Sequence, residues 1–416
     1  MNSLKQITWS LLIILLVGFA GCKNDSKDVE QIADEVLVSN ELGTSISQLF
    51  IQSSIGLLSA QYPDAAGLTS AVKSGVNVYT ITYKTTFHGV ELIASGLVAV
   101  PAAGGNYPVL SFQNGTNVLY SEAPTKNYKF NPDDLENTTV VLESMASLGF
   151  VVVIPDYPGF GSSEAVFHPY LEKENTLPAL TDMILAAGEL LAKEELEPKL
   201  NGDLFIAGYS QGGWSTMQLL KELDQNPLDG FNLKAASCGA GPYNLSQMNS
   251  YVLAQDTYSM PYYFGYLLHA YELHGLISNP LSDLFAATYA PKIPGLFDFV
   301  TSGGAINAEL TDNIDELFQA DYISGFSSDS KFSTVESALA ANSISAWNLS
   351  TPTMLFHGDA DVYVPVEISN DFISDFRELG VNDDMISLTT ITGADHTGGV
   401  LPFGLKTVAW FLSMEN

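Results

Sequence analysis

Short, almost unbroken apolar runs recur along this chain, most of them bounded by Gly, Pro or Asn, and helical patterns lie between them. The runs cover residues 109–112, 150–154, 204–207, 233–238, 354–356 and 386–391. A strand with one wet face alternates apolar and polar residues, so strands apolar at nearly every position belong to a sheet covered on both faces. Helical spacing appears over 140–148, 177–196 (Leu180, Ile184, Leu185, Leu190, Leu191), 214–223 and 402–412. Strand and helix in alternation predict the α/β class, a doubly wound, mostly parallel sheet. Ahead of it, residues 78–85 and 91–100 are β-rich and joined by His88-Gly89, a predicted hairpin.

Residues 245–346 break the rhythm. Tyr258, Tyr262, Tyr263, Phe264, Tyr266 and Tyr271 crowd together there, punctuated by Pro261, Pro280, Pro291 and Pro294. The stretch reads as a largely helical insertion between two strands, either a cap over a site or a peripheral subdomain. The 416 residues then divide into a core of 76–244 and 347–416, a cap of 245–346, and an N-terminal extension. Residues 31–75 of that extension mix short helical patterns with Gly and Ser.

The N-terminus has its own logic. Lys5 precedes the apolar run 9–20, which is too short to span a bilayer but has the length of a signal-peptide core. Phe19-Ala20-Gly21-Cys22 resembles a bacterial lipoprotein signal, with Phe where most carry Leu. The resemblance implies a signal over 1–21, a lipidated Cys22 at the mature N-terminus, and a polar tether beginning at 23–30 within a tether and extension spanning 22–75. An ordinary secretory signal cut nearby is the alternative; both imply export, and the first implies a membrane anchor. The second cysteine, Cys238, then lacks a partner, so no disulfide is expected and Cys238 reads as a buried strand residue.

Charge narrows the partners. Sixteen Lys and Arg against 47 Asp and Glu give a net charge of −31, with Arg377 the single arginine. Such a chain repels phosphate backbones, which excludes nucleic acid as a partner and favours an uncharged substrate over an anionic one.

Gly208-Tyr209-Ser210-Gln211-Gly212 matches G-x-S-x-G. The run 204–207 leads in and the helical pattern 214–223 leads out, the setting in which a serine stands on a strained turn between strand and helix. A Cβ at 208 or 212 would crowd the neighbouring backbone, and the helix N-terminus favours negative charge developing at Ser210. The bland alternative is a Gly-rich turn with a serine cap. A serine hydroxyl is a poor nucleophile at neutral pH and needs a base oriented by a carboxylate. Past the run 354–356 comes His357-Gly358-Asp359-Ala360-Asp361-Val362-Tyr363-Val364-Pro365, and past 386–391 comes Thr392-Gly393-Ala394-Asp395-His396. Carboxylate and imidazole thus follow strand ends, where open α/β sheets place their sites. Asp359 and Asp361 both qualify as the acid, whereas Asp395 adjoins His396 and its side chain diverges.

These motifs together resemble the α/β-hydrolases over residues 76–412, and His357–Pro365 matches that family's H-G-x-x-D-x-x-V-P pattern. The resemblance implies Ser210 as nucleophile, His396 as base and Asp361 as acid. It also implies an oxyanion hole from the Gln211 amide and one amide of the loop Gln113-Asn114-Gly115-Thr116-Asn117. That second donor is assigned to Thr116, with Gly115 or Asn117 able to take the role, because Asn114 stands where relatives often carry His. Asp156-Tyr157-Pro158-Gly159-Phe160-Gly161 resembles a family segment with a structural part. His357 reads as packed, His88 as a hairpin residue, and His168, His269 and His274 as surface residues of loop or cap. No H-E-x-x-H, Cys/His cluster, EF-hand, Walker A or dinucleotide fingerprint appears, so neither metal nor cofactor is expected.

The layout is similar to secretory-lipase-like enzymes and implies an exported esterase or lipase acting by acyl transfer on a moderately apolar, lipid-like or small ester. A peptidase of aminopeptidase-like or prolyl-oligopeptidase-like kind is the alternative, with Glu272 or Asp256 available to hold a substrate amine. A non-catalytic binding lipoprotein is the third class, and it would normally have lost one of the three residues.

Overall fold

The computed structural model describes residues 35–129, 142 and 144–415. The signal, Cys22 and the tether through residue 30 lie outside the described residues, as does part of the helix expected over 140–148, of which 146–148 form a 3₁₀ turn.

Nine strands form one sheet: β1 (Leu37–Ile46), β2 (Val76–Phe87), β3 (Val90–Pro101), β4 (Gly105–Gln113), β5 (Val151–Pro155), β6 (Pro198–Tyr209), β7 (Asn232–Gly239), β8 (Thr353–Gly358) and β9 (Ile386–Ile391). Their order is β1-β2-β3-β5-β4-β6-β7-β8-β9. From β5 to β9 neighbouring strands are parallel, while β1, β2 and β3 join antiparallel. The chain leaves β4 for β5 on one side and then crosses to β6 on the other. That reversal is a topological switch point, and the crevice beyond the strand ends there is where such sheets bind ligands.

The apolar runs are explained by two cores on opposite faces. Val151, Val153, Leu204 and Ile206 join the one that holds α3 (Lys173–Ala192) and α4 (Gln211–Gln225). Val152, Ile154, Phe205 and Ala207 join the other, with α1 (Gln48–Gln61), α2 (Ala66–Ala71) and the last helix, which ends the chain at Val400–Met414. Successive strand residues point to opposite faces, so both must be apolar. The hairpin between β2 and β3 turns at His88 (φ 48°) and Gly89 (φ 72°), the left-handed pair that a two-residue turn requires.

The sheet begins earlier than the apolar pattern implies. β1 lies inside the stretch expected as an extension, because an edge strand exposed on one side needs no apolar run: its sequence is LVSNELGTSI. Its start is held by Glu189 of α3, whose carboxylate accepts the Val36 and Leu37 amides at 2.9 and 2.7 Å.

Between β7 and β8 the chain is helical: α5 (Leu245–Leu253), α6 (Pro261–Leu273), α7 (Leu281–Leu284), α8 (Ile293–Leu296), α9 (Gly303–Glu309), α10 (Ile314–Leu317), α11 (Ala320–Gly325) and α12 (Ser333–Asn342). After β8, α13 (Val366–Glu378) packs Ile368, Phe372 and Phe376 onto the sheet, and the terminal helix is α14. The cap is bonded to the core. Trp214 and Gln218 of α4 donate to the Asn342 carbonyl at 2.9 and 3.1 Å, and the Tyr271 hydroxyl donates to Leu171 O at 2.9 Å.

At this junction Glu172 is 3% exposed; one carboxylate oxygen accepts from Asn175 Nδ2 at 2.6 Å and the other has no partner among the described residues. Burial, offset in part by the Asn175 bond and reinforced by Glu174, pushes its carboxyl from 4.5 up to about 7. The folded state therefore prefers the proton, and this contribution to stability is complete below 4.5 and lost as pH rises through about 7. Glu172→Gln, which cannot ionise, is expected to gain about 1 kcal/mol over the native chain at pH 8 and nothing at pH 4.5 in urea unfolding.

Candidate active site

Ser210 sits between β6 and α4 with φ 60° and ψ −122°, a conformation L-residues avoid and hold only where the surroundings impose it. The surroundings are glycine-rich for a steric reason. A Cβ on Gly208 would run into Gly212 O, one on Gly212 into Gln113 O, and one on Gly213 into Gly239 O. The Ser210 amide donates to Gly239 O at 2.8 Å, tying the turn to β7.

His396 and Asp361 come to Ser210 from the ends of β9 and β8. His396 Nε2 stands 2.8 Å from Ser210 Oγ, and its Nδ1 stands 2.6 Å from Asp361 Oδ2. The other Asp361 oxygen accepts the Tyr363 and Val364 amides at 2.9 and 3.0 Å. Burial by itself would raise this carboxyl, but bonds from His357, His396 and the Val364 amide hold it down to about 2. An ionised carboxylate fixes the His396 proton on Nδ1 and leaves the Nε2 lone pair facing the serine hydroxyl. Such a chain can withdraw the hydroxyl proton and hold the resulting imidazolium. Tyr209 donates its hydroxyl to His396 O at 2.8 Å and so fixes the backbone of the base.

The competing carboxylates are engaged elsewhere. Asp359 is exposed and accepts the Gly393 amide at 2.6 Å; Asp395 accepts the Gly398 amide at 2.7 Å and the Thr397 hydroxyl at 3.1 Å. His357 has a part that packing alone did not suggest. Its Nε2 lies 2.7 Å from Val364 O and 3.3 Å from Asp361 Oδ2, while Nδ1 meets the Ser369 hydroxyl at 2.7 Å. It therefore carries its proton toward the acid loop, a role legible only in the opening His of the H-G-x-x-D pattern.

Beside Ser210 stand the start of α4 and the loop after β4, the two segments expected to supply the oxyanion donors. The Gln211 amide, in the first turn of α4, has no helical partner by construction. In the loop, the Thr116 hydroxyl meets the Tyr170 hydroxyl at 2.9 Å. Gly115 lies beside the elbow: a Cβ there would make ordinary contact with Tyr209 O at 3.6 Å and Ser210 Cβ at 4.0 Å. Asn114 Nδ2 donates to Pro155 O at 3.1 Å. Asp156 is fully buried and accepts from the Ser95 and Thr125 hydroxyls at 2.5 and 2.6 Å, bracing β3 against the chain after the loop.

Two histidines expected at the surface are not there. His168 and His269 are 0% and 4% exposed, because Tyr266 of the cap lies against His168 and Phe167 of the core lies against His269, itself on α6; His274 is half-buried and pairs with His88 at 2.9 Å. Cys238 is buried within β7, and burial pushes its thiol up, leaving it unreactive. Among the described residues no group of three or more His, Cys, Asp or Glu side chains could hold a metal ion.

Cap aromatics reach both sides of Ser210. Tyr258 donates its hydroxyl to Tyr363 O at 2.9 Å, and the Tyr363 ring lies 5.4 Å from that of His396. On the side of the loop after β4, Tyr266 of α6 stacks on Tyr170 with centroids 4.5 Å apart.

No family model and no curated protein matches this chain. Solved structures do. A protein of Legionella pneumophila assigned as a hydrolase is 25% identical, with 91% of this chain and 98% of that one covered and a TM-score of 0.78. The rice cell wall degrading esterase LipA from Xanthomonas oryzae is also 25% identical, covering 91% and 96%, with a TM-score of 0.73. Candida antarctica lipase A in its closed state, at 16% identity and TM-score 0.61 over 90% and 81%, shares the fold. Sheet order, flanking helices and these neighbours together give the chain the α/β-hydrolase fold.

Proposed function

We propose that this protein is a serine hydrolase of carboxylic esters. The observation that carries the proposal is the unbroken chain Ser210 Oγ, His396 Nε2, His396 Nδ1, Asp361 Oδ2, with links of 2.8 and 2.6 Å at the switch point of the sheet. As Ser210 Oγ bonds to the ester carbonyl carbon, its proton passes to His396 Nε2. The carbonyl oxygen becomes an oxyanion held by the Gln211 amide and by an amide of the Gly115–Thr116 stretch; one such donor is worth about 10²–10³ in kcat. The intermediate collapses, His396 returns the proton to the departing alcohol, and water repeats the cycle on the acyl-enzyme. Hydrolase, esterase and lipase neighbours support this reading. The tyrosine- and phenylalanine-lined cap supports an uncharged substrate.

A peptidase on the same residues would need a carboxylate beside Ser210 for the substrate amine. Glu272 accepts the Leu281 amide at 3.2 Å and faces His269, while Asp256 is exposed to solvent. The deciding assay uses the full chain in detergent with p-nitrophenyl esters of rising acyl length beside aminoacyl-p-nitroanilides. Ester turnover is expected; turnover of anilides alone would overturn the proposal in favour of the peptidase. Export and anchoring through lipidated Cys22 are part of the same proposal, and Cys22→Ser is expected to move the chain from the membrane to the soluble fraction of the producing cell.

A further inference from the structure

We propose that residues 155–170 set the geometry of both halves of the oxyanion site, with His168 as the positioning residue for Gln211. The inference rests on Ser210 acting as the acyl-transfer nucleophile.

His168 is fully buried, among the rings of Tyr157, Phe160 and Tyr266 at 5.6, 5.2 and 5.8 Å. Its Nδ1 is 2.8 Å from Pro158 O, a pure acceptor, so the proton of the neutral ring sits on Nδ1 and the lone pair on Nε2. Gln211 Nε2 donates to that lone pair at 2.8 Å. Burial pushes the imidazole down to about 4, so it remains an acceptor near neutral pH. Gln211 is 2% exposed, and its Oε1 has no partner among the described residues, so the His168 bond is the side chain's one polar anchor there. That matters because Gln211 follows Ser210, whose backbone is strained. Anchoring the long side chain fixes the direction in which the Gln211 amide points, and a donor serves the oxyanion only when aimed at where the charge develops.

The same segment holds the other half. Pro155 O accepts from Asn114 Nδ2 at 3.1 Å, the Tyr157 hydroxyl donates to Asn114 O at 3.1 Å, and the Tyr170 hydroxyl meets that of Thr116 at 2.9 Å. The glycine at 159 belongs to this arrangement: its φ is 96°, and a Cβ there would stand 2.6 Å from His168 N. The two donor segments, the start of α4 and the loop after β4, follow different strands, and residues 155–170 bond to both segments.

The test compares turnover per active site, counted by stoichiometric fluorophosphonate labelling, in native chain, His168→Phe, His168→Gln and Gln211→Met, and in the double variant His168→Phe with Gln211→Met. His168→Phe is expected to lower kcat per labelled site about 10- to 100-fold with KM changed less than about twofold, since the donor acts in the transition state. His168→Gln, which returns an acceptor, is expected to recover most of the loss. With Met at 211, His168→Phe is expected to cost nothing further. Unchanged kcat per labelled site in His168→Phe, or equal losses with Gln and with Met at 211, would overturn the proposal. Should His168→Phe not fold, Gln211→Met breaks the same bond from the other end, and an unchanged kcat there overturns it equally. A native chain that neither takes the label nor hydrolyses ester sinks the nucleophile assignment itself, a distinct result.

Discussion

Ser210→Ala is expected to lower ester turnover by on the order of 10⁶-fold while leaving the fold intact. Alanine keeps the Cβ, so the strained backbone at φ 60° is neither relieved nor worsened, and the Ser210 amide still bonds Gly239 O at 2.8 Å. What disappears is the oxygen that His396 Nε2 meets at 2.8 Å. The remaining rate over water would come from oxyanion donors and substrate binding, roughly 10³–10⁴ in other triads. Initial rates on a p-nitrophenyl ester check the loss, and a thermal melt within a few degrees of the native chain checks the fold. Retention of more than about one part in a thousand of the activity would mean that the chemistry lies elsewhere.

The second large effect separates two aspartates two positions apart. Asp361→Asn is expected to reduce kcat by about 10⁴, and Asp359→Asn by less than about threefold. Asparagine at 361 can still accept the Tyr363 and Val364 amides through its oxygen, so the loop survives. Its NH₂ would face His396 Nδ1, reverse the tautomer and place a hydrogen on Nε2 where a lone pair must face Ser210. The Asp359 carboxylate accepts the Gly393 amide, and among the described residues it is bonded to neither His357 nor His396. The opposite ranking would make Asp359 the acid. With the Asp361 carboxyl lowered from 3.8 to about 2, its stabilising bonds are complete above pH 3.8 and lost as pH falls through about 2. Ionisation of this acid should therefore leave no step in kcat between pH 4 and 9.

Much of the architecture is legible locally. Strands such as β5 and β6 send alternate apolar residues to two cores, so their apolar runs announce themselves. The elbow is legible because its glycines and serine form a local pattern between an apolar run and a helical one, although the backbone that crowds Gly212 and Gly213 comes from Gln113 and Gly239. β1 is not, since a polar edge strand held by a glutamate 152 residues away has no local pattern. His168 reads as an ordinary loop residue because its burial depends on α6, about 100 residues further along, and its partner lies 43 positions away. The anchoring of the loop after β4 also escapes the sequence, because its bonds to Tyr170 and Tyr157 span 54 and 43 positions.

The central claim is that Ser210 is a nucleophile activated by His396. Incubation with a fluorophosphonate, followed by mass spectrometry of the digested chain, tests it most directly. One adduct per chain is expected, on Ser210, with labelling abolished in Ser210→Ala and slowed by orders of magnitude in His396→Ala. An adduct on another residue, or undiminished labelling of Ser210→Ala, would contradict it.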